Sequence, residues 1–432
     1  MSEGDRVLAI MGSGETSPTM VTVHRTLAAR LTAGHPRAVV LETPYRFQDN
    51  ADDISAAARK YFADSVGLPV TVLDGLRPAP AAAAAPGAAE PGVTEPGQAA
   101  QIRAADWVFA GPGSPTFALG QWRDSQVAEA IKDRVTAGLG VTVLASAAAV
   151  TVGLAALPVY EIYKVGEPPH WVEGLDLLSP LGLKVAVIPH YNNKEGGTYD
   201  TRYCYLGERR LALLERELPD DAAVLGVDEH TAAVFDLRAR TVEVAGRGTV
   251  TVRRRGASTV LAAGTVVPLG DLAGLVSRGA PPAAGPHRAQ PGQPQDQNQD
   301  QDDGLLPLPE LTESIQRRFE AAERDRDAAA MVAAILDLDA AIHAWAADTD
   351  EDQGTGQARA VLRGLVTRLG QAAERGLADP RDQLRPAVQP LLTLRATLRG
   401  EGSYQAADTI RDALTAAGFE LHDHPDSTEW TV

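Results

Sequence analysis

The first part of the chain alternates short apolar, β-branched segments with longer stretches whose apolar residues recur at helical spacing. The short segments have the length of buried strands, and the longer stretches are typical of amphipathic helices. Because alternating strands and helices form a parallel sheet covered on both faces, we predict a doubly wound, mostly parallel α/β fold. Glycines at 246–248 and 255–256 predict β-hairpins at its end. The predicted strands are 6–11, 37–42, 69–73, 106–110, 140–145, 184–188 and 223–227.

The composition changes after this α/β region. Residues 279–304 are rich in Pro, Gln and Asp, which predicts a disordered, extended linker. From residue 305 onward, amphipathic stretches of helix formers predict an all-α helical bundle. The expected domains are therefore 1–278 and 305–432, joined by the linker. A low-complexity insertion of Ala, Pro and Gly at 78–99 is expected to form a mobile loop in the first domain.

Charge and composition exclude several classes of protein. The net charge of −17 predicts a surface that repels nucleic acid and anionic membranes. There is no basic and apolar leader and no run of ~20 apolar residues that would cross a bilayer. The single cysteine, Cys204, excludes an internal disulfide and a cysteine-based zinc site. We therefore expect a cytoplasmic protein that has no membrane contact and no metal.

One predicted strand ends in a serine that is followed by small helix formers. Residues 140–145 are apolar and β-branched, Ser146 comes next, and 147–150 favour a helix. This is the layout of a nucleophile elbow, which lifts the serine above the sheet edge and offers helix N-terminal N–H groups to an oxyanion. The alternative is a buried strand that ends in a small-residue turn.

Glycine turns and a histidine follow other predicted strands. Gly12–Gly14 and Gly111–Ser114 end two of them, and His190 comes after Pro189 at the end of another. Ligands of open α/β sheets bind at the carboxyl ends of the strands, so these segments and Ser146 are expected to meet. The first turn lacks the third glycine of a dinucleotide-binding motif, because position 17 is Ser. We therefore predict no organic cofactor.

Ser146 and His190 have the residue types of the nucleophile and the general base in a Ser-His-acid mechanism. The alternative for His190 is a loop histidine that is merely hydrogen-bonded to its surroundings. Backbone N–H groups of Gly113 and Ala147 are candidates for binding the oxyanion. Three acidic residues compete for the position that orients the base, namely Glu161, Asp228 and Glu229.

These motifs together resemble the peptidase S51 family, which contains dipeptidase E and cyanophycinase. The matching segments lie within residues 5–270 and in the family's order: 111–114, 144–149, 189–193 followed by 200–202, and 226–229. The resemblance implies a class I glutamine amidotransferase-like, flavodoxin-like fold. It also implies a serine-type hydrolase for peptide or amide bonds, without a cofactor. Glu161 lies 15 residues after Ser146, where dipeptidase E relatives carry an acid.

The resemblance further implies an acidic peptide or amide as the substrate. Arg202 and Lys164 are the candidates for recognising its carboxylate. Leu144 and Ala148 stand where the family has glycines, so a catalytically silent binding or regulatory protein is the alternative. A homodimer is left open. The expected oxyanion-binding and substrate-binding residues are Gly12, Gly14, Gly113, Ser114, Ala147, Asn193 and Arg202.

The C-terminal residues 391–430 resemble the helical, DALR-type C-terminal region of bacterial cysteinyl-tRNA synthetase. The resemblance rests on Ala407–Leu414 and on Gly418–Leu421 followed by Trp430. The chain has no H-I-G-H or K-M-S-K-S motif and no zinc-binding cysteines, so it is not expected to be an aminoacyl-tRNA synthetase by itself.

The charge of the C-terminal region argues against strong tRNA binding. From residue 305 onward there are 13 Arg and no Lys against 22 Asp and Glu, which gives −9. Phosphate contacts supply most of the affinity for nucleic acid, so at most a weak tRNA contact through 305–432 is expected. Arg395, Arg399 and Arg411 either form a local basic patch or pair with neighbouring acids.

Overall fold

A computed structural model describes residues 6–73, 95–137, 140–194, 199–278, 306–345, 354–376, 380–424 and 428–431. Their contacts divide them into two compact units. One contains the described residues up to Leu306 together with Ala344 and Trp345, and the other contains Pro307–His343 and the residues from Gly354 onward. The predicted linker 279–304 and residues 78–94 of the predicted insertion lie outside the described residues. Residues 95–99 of that insertion are helical, so the predicted loop was wrong there.

The strands of the first unit are short and mostly buried, as their apolar composition predicts. They are β1 (Arg6–Met11), β2 (Ala38–Leu41), β3 (Thr71–Leu73), β4 (Trp107–Ala110), β5 (Gly140–Ala145), β6 (Ala155–Ala156), β7 (Val172–Glu173), β8 (Val185–Ile188), β9 (Ala223–Val227), β10 (Thr231–Asp236), β11 (Thr241–Gly246), β12 (Thr249–Arg254), β13 (Ala257–Ala262) and β14 (Val266–Pro268).

Two sheets form the framework of this unit. The larger has the order β14-β11-β10-β1-β5-β4-β2-β3, with five neighbouring parallel strands from β1 to β3 and an antiparallel extension on the β10 side. The smaller has the order β13-β12-β9-β8-β6-β7. The predicted α/β fold with terminal hairpins is confirmed, but the strands belong to two sheets rather than one. Among the described residues the chain crosses between the sheets four times, at 146–154, 228–230, 247–248 and 263–265.

Helices cover the larger sheet because its side chains alternate between two buried faces. Leu8 and Ile10 of β1 belong to one apolar cluster, and Val7 and Ala9 belong to the other. The helices of this unit are α1 (Val21–Ala28), α2 (Ala51–Lys60), α3 (Glu95–Ala104), α4 (Pro115–Trp122), α5 (Gln126–Ala137), α6 (Ser146–Val150), α7 (Gly207–Leu214) and α8 (Leu269–Arg278).

A buried arginine fixes the start of β5. Arg134 of α5 donates to Thr142 Oγ1 at 3.0 Å and to the carbonyl oxygen of Val141 at 3.0 Å. It also donates to the carbonyl oxygens of Ile102 and Ala105 near the end of α3. Buried carbonyl and hydroxyl groups need such partners, so Arg134 holds β5, α3 and α5 in one arrangement.

The second unit is helical, as predicted, and ends in a β-hairpin. Its helices are α9 (Leu308–Arg324), α10 (Ala328–Trp345, whose last two residues belong to the first unit), α11 (Thr355–Arg375), α12 (Pro380–Gly400) and α13 (Tyr404–Ala416), and the hairpin strands are β15 (Glu420–Asp423) and β16 (Thr428–Thr431).

Helix α10 departs from the expectation that no segment of the chain is apolar enough to cross a membrane. By length and composition alone it could cross a membrane, although no run of ~20 apolar residues was recognised there. Its residues Met331, Ala334 and Leu338 are buried at spacings of three and four, which is the pattern of a helix packed in a bundle.

Candidate functional site

Ser146 stands at the turn between β5 and α6 with a left-handed backbone. Its φ is +45°, and its side chain is mostly buried. A non-glycine residue in this region costs roughly 1–2 kcal/mol, so it occurs where the surrounding structure imposes it. A strained serine between a strand and a helix has the geometry of a nucleophile elbow.

The side chains that replace the elbow glycines are accommodated. Leu144 pairs with Ile10 and Ala110 of the neighbouring strands, and its side chain lies in the apolar core. Ala148 is also buried in that core, and its N–H donates to the carbonyl oxygen of Gly111 at 3.2 Å. Neither side chain therefore keeps Ser146 from the elbow conformation.

The hydroxyl of Ser146 faces an imidazole. Ser146 Oγ lies 3.1 Å from His190 Nε2, and His190 Nδ1 lies 3.1 Å from Glu229 Oε1. An ionised carboxylate only accepts hydrogen bonds, so Nδ1 carries the proton and Nε2 is left to accept from the serine. The three side chains form a continuous relay from hydroxyl to carboxylate, which is the geometry of a Ser-His-acid triad.

Two asparagines hold Glu229. Asn193 Nδ2 donates to Glu229 Oε1 at 3.0 Å, and the Glu229 N–H donates to Asn192 Oδ1 at 2.8 Å. Burial alone raises the pKa of Glu229, but the hydrogen bonds from His190 and Asn193 and the nearby imidazole charges outweigh it and lower that pKa. Asn193 was predicted among the oxyanion-binding and substrate-binding residues, whereas its amide is bonded to the acid.

The other two candidate acids do not bond to His190. Asp228 accepts from the N–H and the hydroxyl of Thr249, both at 2.8 Å, which ties β9 to β12. Burial raises its pKa. Glu161 Oε2 accepts from Thr116 Oγ1 at 3.1 Å. Of the three acids that the sequence left open, the one bonded to His190 is therefore Glu229.

The first glycine turn lies between Ser146 and the acid-bearing segment. β1 pairs with β5 so that Met11 is opposite Ala145, which places Gly12 beside Ser146. A Cβ on Gly12 would lie 2.0 Å from the Asp228 carbonyl oxygen. Any larger residue would push the segment that carries Glu229 away from the base.

The second glycine turn is fixed by backbone contacts. Gly113 has φ +128°, and a Cβ there would lie 2.1 Å from the carbonyl oxygen of Pro44. The Ser114 N–H donates to that same oxygen at 2.8 Å, and Ser114 Oγ accepts from the N–H of Phe117 as the cap of α4. These groups of Ser114 are thus bonded within the protein, contrary to their predicted use for the oxyanion. Ala147 lies in the first turn of α6, where N–H groups have no acceptor inside the helix.

The two cations expected to bind a substrate carboxylate have partners in the protein. Arg202 Nε and Nη2 donate to the two carboxylate oxygens of Asp200 at 2.8 and 2.9 Å. This bidentate pair holds the pKa of Asp200 well below its usual range. The Lys164 ammonium lies 4.9 Å from the centre of the Tyr160 ring. Neither contact tests the predicted carboxylate-binding role, which stays a prediction for both residues.

A left-handed turn that the sequence did not predict supports His190. Tyr203, Cys204 and Tyr205 have φ values of +62°, +55° and +65°. The Cys204 N–H donates to the His190 carbonyl oxygen at 3.1 Å, and His190 itself has φ +47°. Residues with positive φ are usually glycine or asparagine, so no local signal indicated this turn.

Three arginines of the helical unit surround one aspartate. Arg395 is buried and donates to both oxygens of Asp423, at 2.6 and 2.7 Å. Arg399 and Arg411 lie 3.8 and 3.9 Å from Asp423 Oδ2. The three arginines predicted as a patch or as acid-paired residues therefore share one acid, and this contact joins α12, α13 and the terminal hairpin.

In the part of the chain that the structure describes, no group of three or more His, Cys, Asp and Glu side chains is arranged to hold a metal ion. No protein-family model matches the chain. A segment of the C-terminal region is similar to cysteine–tRNA ligases, in agreement with the C-terminal resemblance, and solved peptidase structures are similar to a larger part of the chain.

A cysteine–tRNA ligase of Salinibacter ruber is 40% identical over 74 residues, which are 16% of this chain and 14% of that protein. A cysteine–tRNA ligase of Thermosipho melanesiensis is 30% identical over 119 residues, which are 27% of this chain and 25% of that protein. The chain therefore spans a quarter or less of the length of these curated relatives.

Two solved structures cover the larger part of the chain. A peptidase from an acI-B1 Actinobacterium is 18% identical with a TM-score of 0.46, over 61% of this chain and 97% of that one. A putative peptidase E protein from Listeria monocytogenes is 15% identical with a TM-score of 0.38, over 56% of this chain and 99% of that one.

Proposed function

We propose that the chain is a serine-type hydrolase that cleaves a peptide or amide bond. The observation that carries the proposal is the relay from Ser146 through His190 to Glu229, with both hydrogen bonds at 3.1 Å. The left-handed backbone of Ser146 supports it, because such strain in a non-glycine residue is typical of functional sites.

In the proposed reaction, Ser146 Oγ attacks the substrate carbonyl carbon while its proton passes to His190 Nε2. The C–O bond forms, and the carbonyl electrons move onto the oxygen. Collapse of this intermediate breaks the C–N bond, and His190 gives its proton to the leaving amine. Water then attacks the acyl carbon while His190 takes its proton. The C–Oγ bond breaks, Ser146 Oγ recovers the proton from His190, and the acid product leaves. Glu229 keeps Nδ1 protonated and stabilises the positive charge that His190 carries between the steps.

The negative oxygen of the intermediate requires donors that are already in place. We assign this role to the N–H of Ala147, which follows the nucleophile at the start of α6, and to the N–H of Gly113. The hydrogen bond from Ala148 N–H to the Gly111 carbonyl oxygen ties the two segments together, which supports this assignment.

The test is amide hydrolysis by the full-length protein on a library of aminoacyl and dipeptidyl anilides. We expect turnover that is lost in Ser146→Ala and in His190→Gln, while the circular dichroism spectra stay those of the wild type. Turnover that persists in well-folded Ser146→Ala would overturn the proposal.

A second candidate function, RNA contact by the helical unit, is favoured by the cysteine–tRNA ligase matches. Arg399 and Arg411 are about half exposed, and together with Arg395 they outnumber the Asp423 that they share, which supports a small basic surface there. A gel shift of full-length protein with unmodified tRNA over a salt series tests it. The proposal predicts a shift at low salt that is weakened in the double variant Arg399→Ala, Arg411→Ala. The absence of any shift at low salt would overturn it.

A further inference from the structure

A second buried histidine follows Glu229 along the chain. His230 is mostly buried and has a left-handed backbone, with φ of +54°. Its N–H donates to the Ser13 carbonyl oxygen at 3.2 Å, and its own carbonyl oxygen accepts from the Arg247 N–H at 2.9 Å. The proposed reaction does not use the ring of His230, so this strained and buried position needs a separate explanation.

The imidazole ring of His230 lies on the first glycine turn. A Cβ on Gly14, whose φ is +63°, would lie 2.3 Å from His230 Nδ1, so glycine leaves room for the ring. His230 Nδ1 is 2.9 Å from Thr19 Oγ1, and Ser17 Oγ is farther away, at 3.4 Å. Thr19 Oγ1 is 2.7 Å from Ser17 Oγ, which donates to the Gly14 carbonyl oxygen at 2.5 Å. These groups form a hydroxyl chain that runs from His230 through Thr19 and Ser17 to Gly14.

The direction of the hydroxyl chain follows from its protons. Each hydroxyl has one proton to donate, and a carbonyl oxygen only accepts. The Ser17 proton goes to Gly14, so Thr19 donates the hydrogen bond between the two hydroxyls. Thr19 Oγ1 then accepts from His230, so Nδ1 carries a proton. Removing the Thr19 hydroxyl would break the connection between the imidazole and the glycine turn, and broken buried networks cost more than one isolated hydrogen bond.

The turn that the hydroxyl chain holds connects the two sides of the candidate site. Gly12 lies beside Ser146 in the pairing of β1 with β5. The Gly12 N–H donates to the Thr231 carbonyl oxygen at 2.9 Å, one residue past His230. Glu229 is the residue just before His230, so a shift of 228–230 against this turn would move the acid relative to the nucleophile.

We infer that His230 and Thr19 are positioning residues for the acid of the triad. By locking 228–230 to the first glycine turn, they keep Glu229 aligned with His190. The inference rests on the proposed hydrolase function. A misplacement of about 1 Å lowers the rate of the chemical step by up to about a hundredfold, and it leaves substrate binding intact, so the effect belongs in kcat rather than in KM.

The first test is kcat for anilide hydrolysis by full-length variants at position 19. Thr19→Val keeps nearly the same shape without the hydroxyl, whereas Thr19→Ser keeps the hydroxyl. We expect kcat to fall about tenfold in Thr19→Val with KM unchanged, and to stay within about twofold of the wild type in Thr19→Ser. Thr26→Val, at an exposed position of α1, is the matched control and is expected to keep the wild-type kcat.

The second test compares two variants of His230 that both tolerate its left-handed backbone. His230→Asn places an amide nitrogen close to the position of Nδ1, whereas His230→Gly has no side-chain donor. We expect kcat to stay within about threefold of the wild type in His230→Asn and to fall about tenfold in His230→Gly. Equal losses in the two variants would overturn the role of the Nδ1 hydrogen bond.

Each kcat is expressed per Ser146 that takes up a fluorophosphonate probe when labelling is complete, so unfolded protein does not enter the value. A merely structural role lowers the number of reactive serines and leaves kcat per reactive serine unchanged. An unchanged value in Thr19→Val, or an equal fall in Thr19→Ser or Thr26→Val, overturns the inference alone. Folded wild-type protein that takes up no probe overturns the proposed function and this inference together.

Discussion

Ser146 Oγ lies 3.1 Å from His190 Nε2, and both residues hold left-handed backbone conformations, with φ of +45° and +47°. A packed core does not require either conformation, since ordinary residues avoid this region. The backbone is therefore strained at both partners of one hydrogen bond. Strain in this position is typical of a site that is selected for chemistry rather than for stability.

The strain at Ser146 predicts a difference between two inactive variants. Glycine adopts positive φ without steric cost, whereas alanine does not, so Ser146→Gly is expected to be more stable than Ser146→Ala by about 1 kcal/mol. Alanine is the matched control because it removes the hydroxyl and keeps a Cβ. Urea denaturation of both variants measures the difference in their free energies of unfolding. A glycine variant that is less stable than the alanine variant would contradict the claim that the backbone of Ser146 is strained.

Glu229 should matter for catalysis through its charge. Glu229→Gln keeps the size of the side chain but removes the charge that stabilises protonated His190, so kcat is expected to fall by about a thousandfold. The exposed Glu217→Gln is the control for the same chemical change. Steady-state kinetics on one anilide substrate measure kcat, and a fall in kcat of less than about threefold would exclude Glu229 as the triad acid.

Asn193 is expected to act as a positioning residue through Glu229. Removing its amide in Asn193→Ala takes away one donor to the carboxylate, so the pKa of Glu229 rises. We expect kcat to fall about tenfold with KM unchanged, and the acid limb of the pH–rate profile to move to higher pH. A profile that keeps the wild-type limb while kcat falls would indicate a merely structural loss. Asn50→Ala, at an exposed site, is the control.

His24 makes stability depend on pH. Burial lowers the pKa of His24 to about 4, against an ordinary value of 6.5, and its Nε2 bonds to the Glu15 carbonyl oxygen at 2.7 Å. The unfolded chain therefore binds more protons between these values. The contribution of neutral His24 to the free energy of unfolding is fully present above pH 6.5. It is lost as the pH falls towards 4, and the total loss is about 3 kcal/mol.

The variant His24→Gln tests that dependence because an amide can still donate to Glu15 but does not titrate. Urea denaturation between pH 4.5 and 7 should show a smaller loss of unfolding free energy in the variant than in the wild type. If the unfolding free energy falls equally with pH in the two proteins, His24 is not the cause of the pH dependence.

The sequence located Ser146 and His190 because each follows an apolar strand, and the chemistry of an α/β sheet lies at such ends. It left the acid open because Asp228 and Glu229 are adjacent and their side chains bond in different directions. Asp228 bonds to β12 and Glu229 bonds to the base. The family resemblance made Glu161 a third candidate, but its carboxylate is bonded to Thr116. Which acid reaches His190 is decided by the three-dimensional path of the chain where it crosses between the sheets, and the sequence does not specify that path.

Other features of the structure had no signal in the local sequence. The left-handed turn at 203–205 contains no glycine and is fixed by long-range hydrogen bonds, including Cys204 N–H to the His190 carbonyl oxygen. The division into two sheets follows from strand pairing, which periodicity does not specify. In contrast, the helices of the second unit were predicted, because the apolar spacing of a helix is a local property of the chain.

The central claim is that Ser146 is an activated nucleophile. A fluorophosphonate probe tests it directly, since attack by Ser146 Oγ forms an O–P bond, releases fluoride and leaves the serine proton on His190. Intact-mass measurement with peptide mapping should show one equivalent of adduct on Ser146 of the wild type, strongly slowed labelling in His190→Gln and none in Ser146→Ala. Folded wild-type protein that takes up no probe, or takes it up equally in Ser146→Ala, would contradict the account.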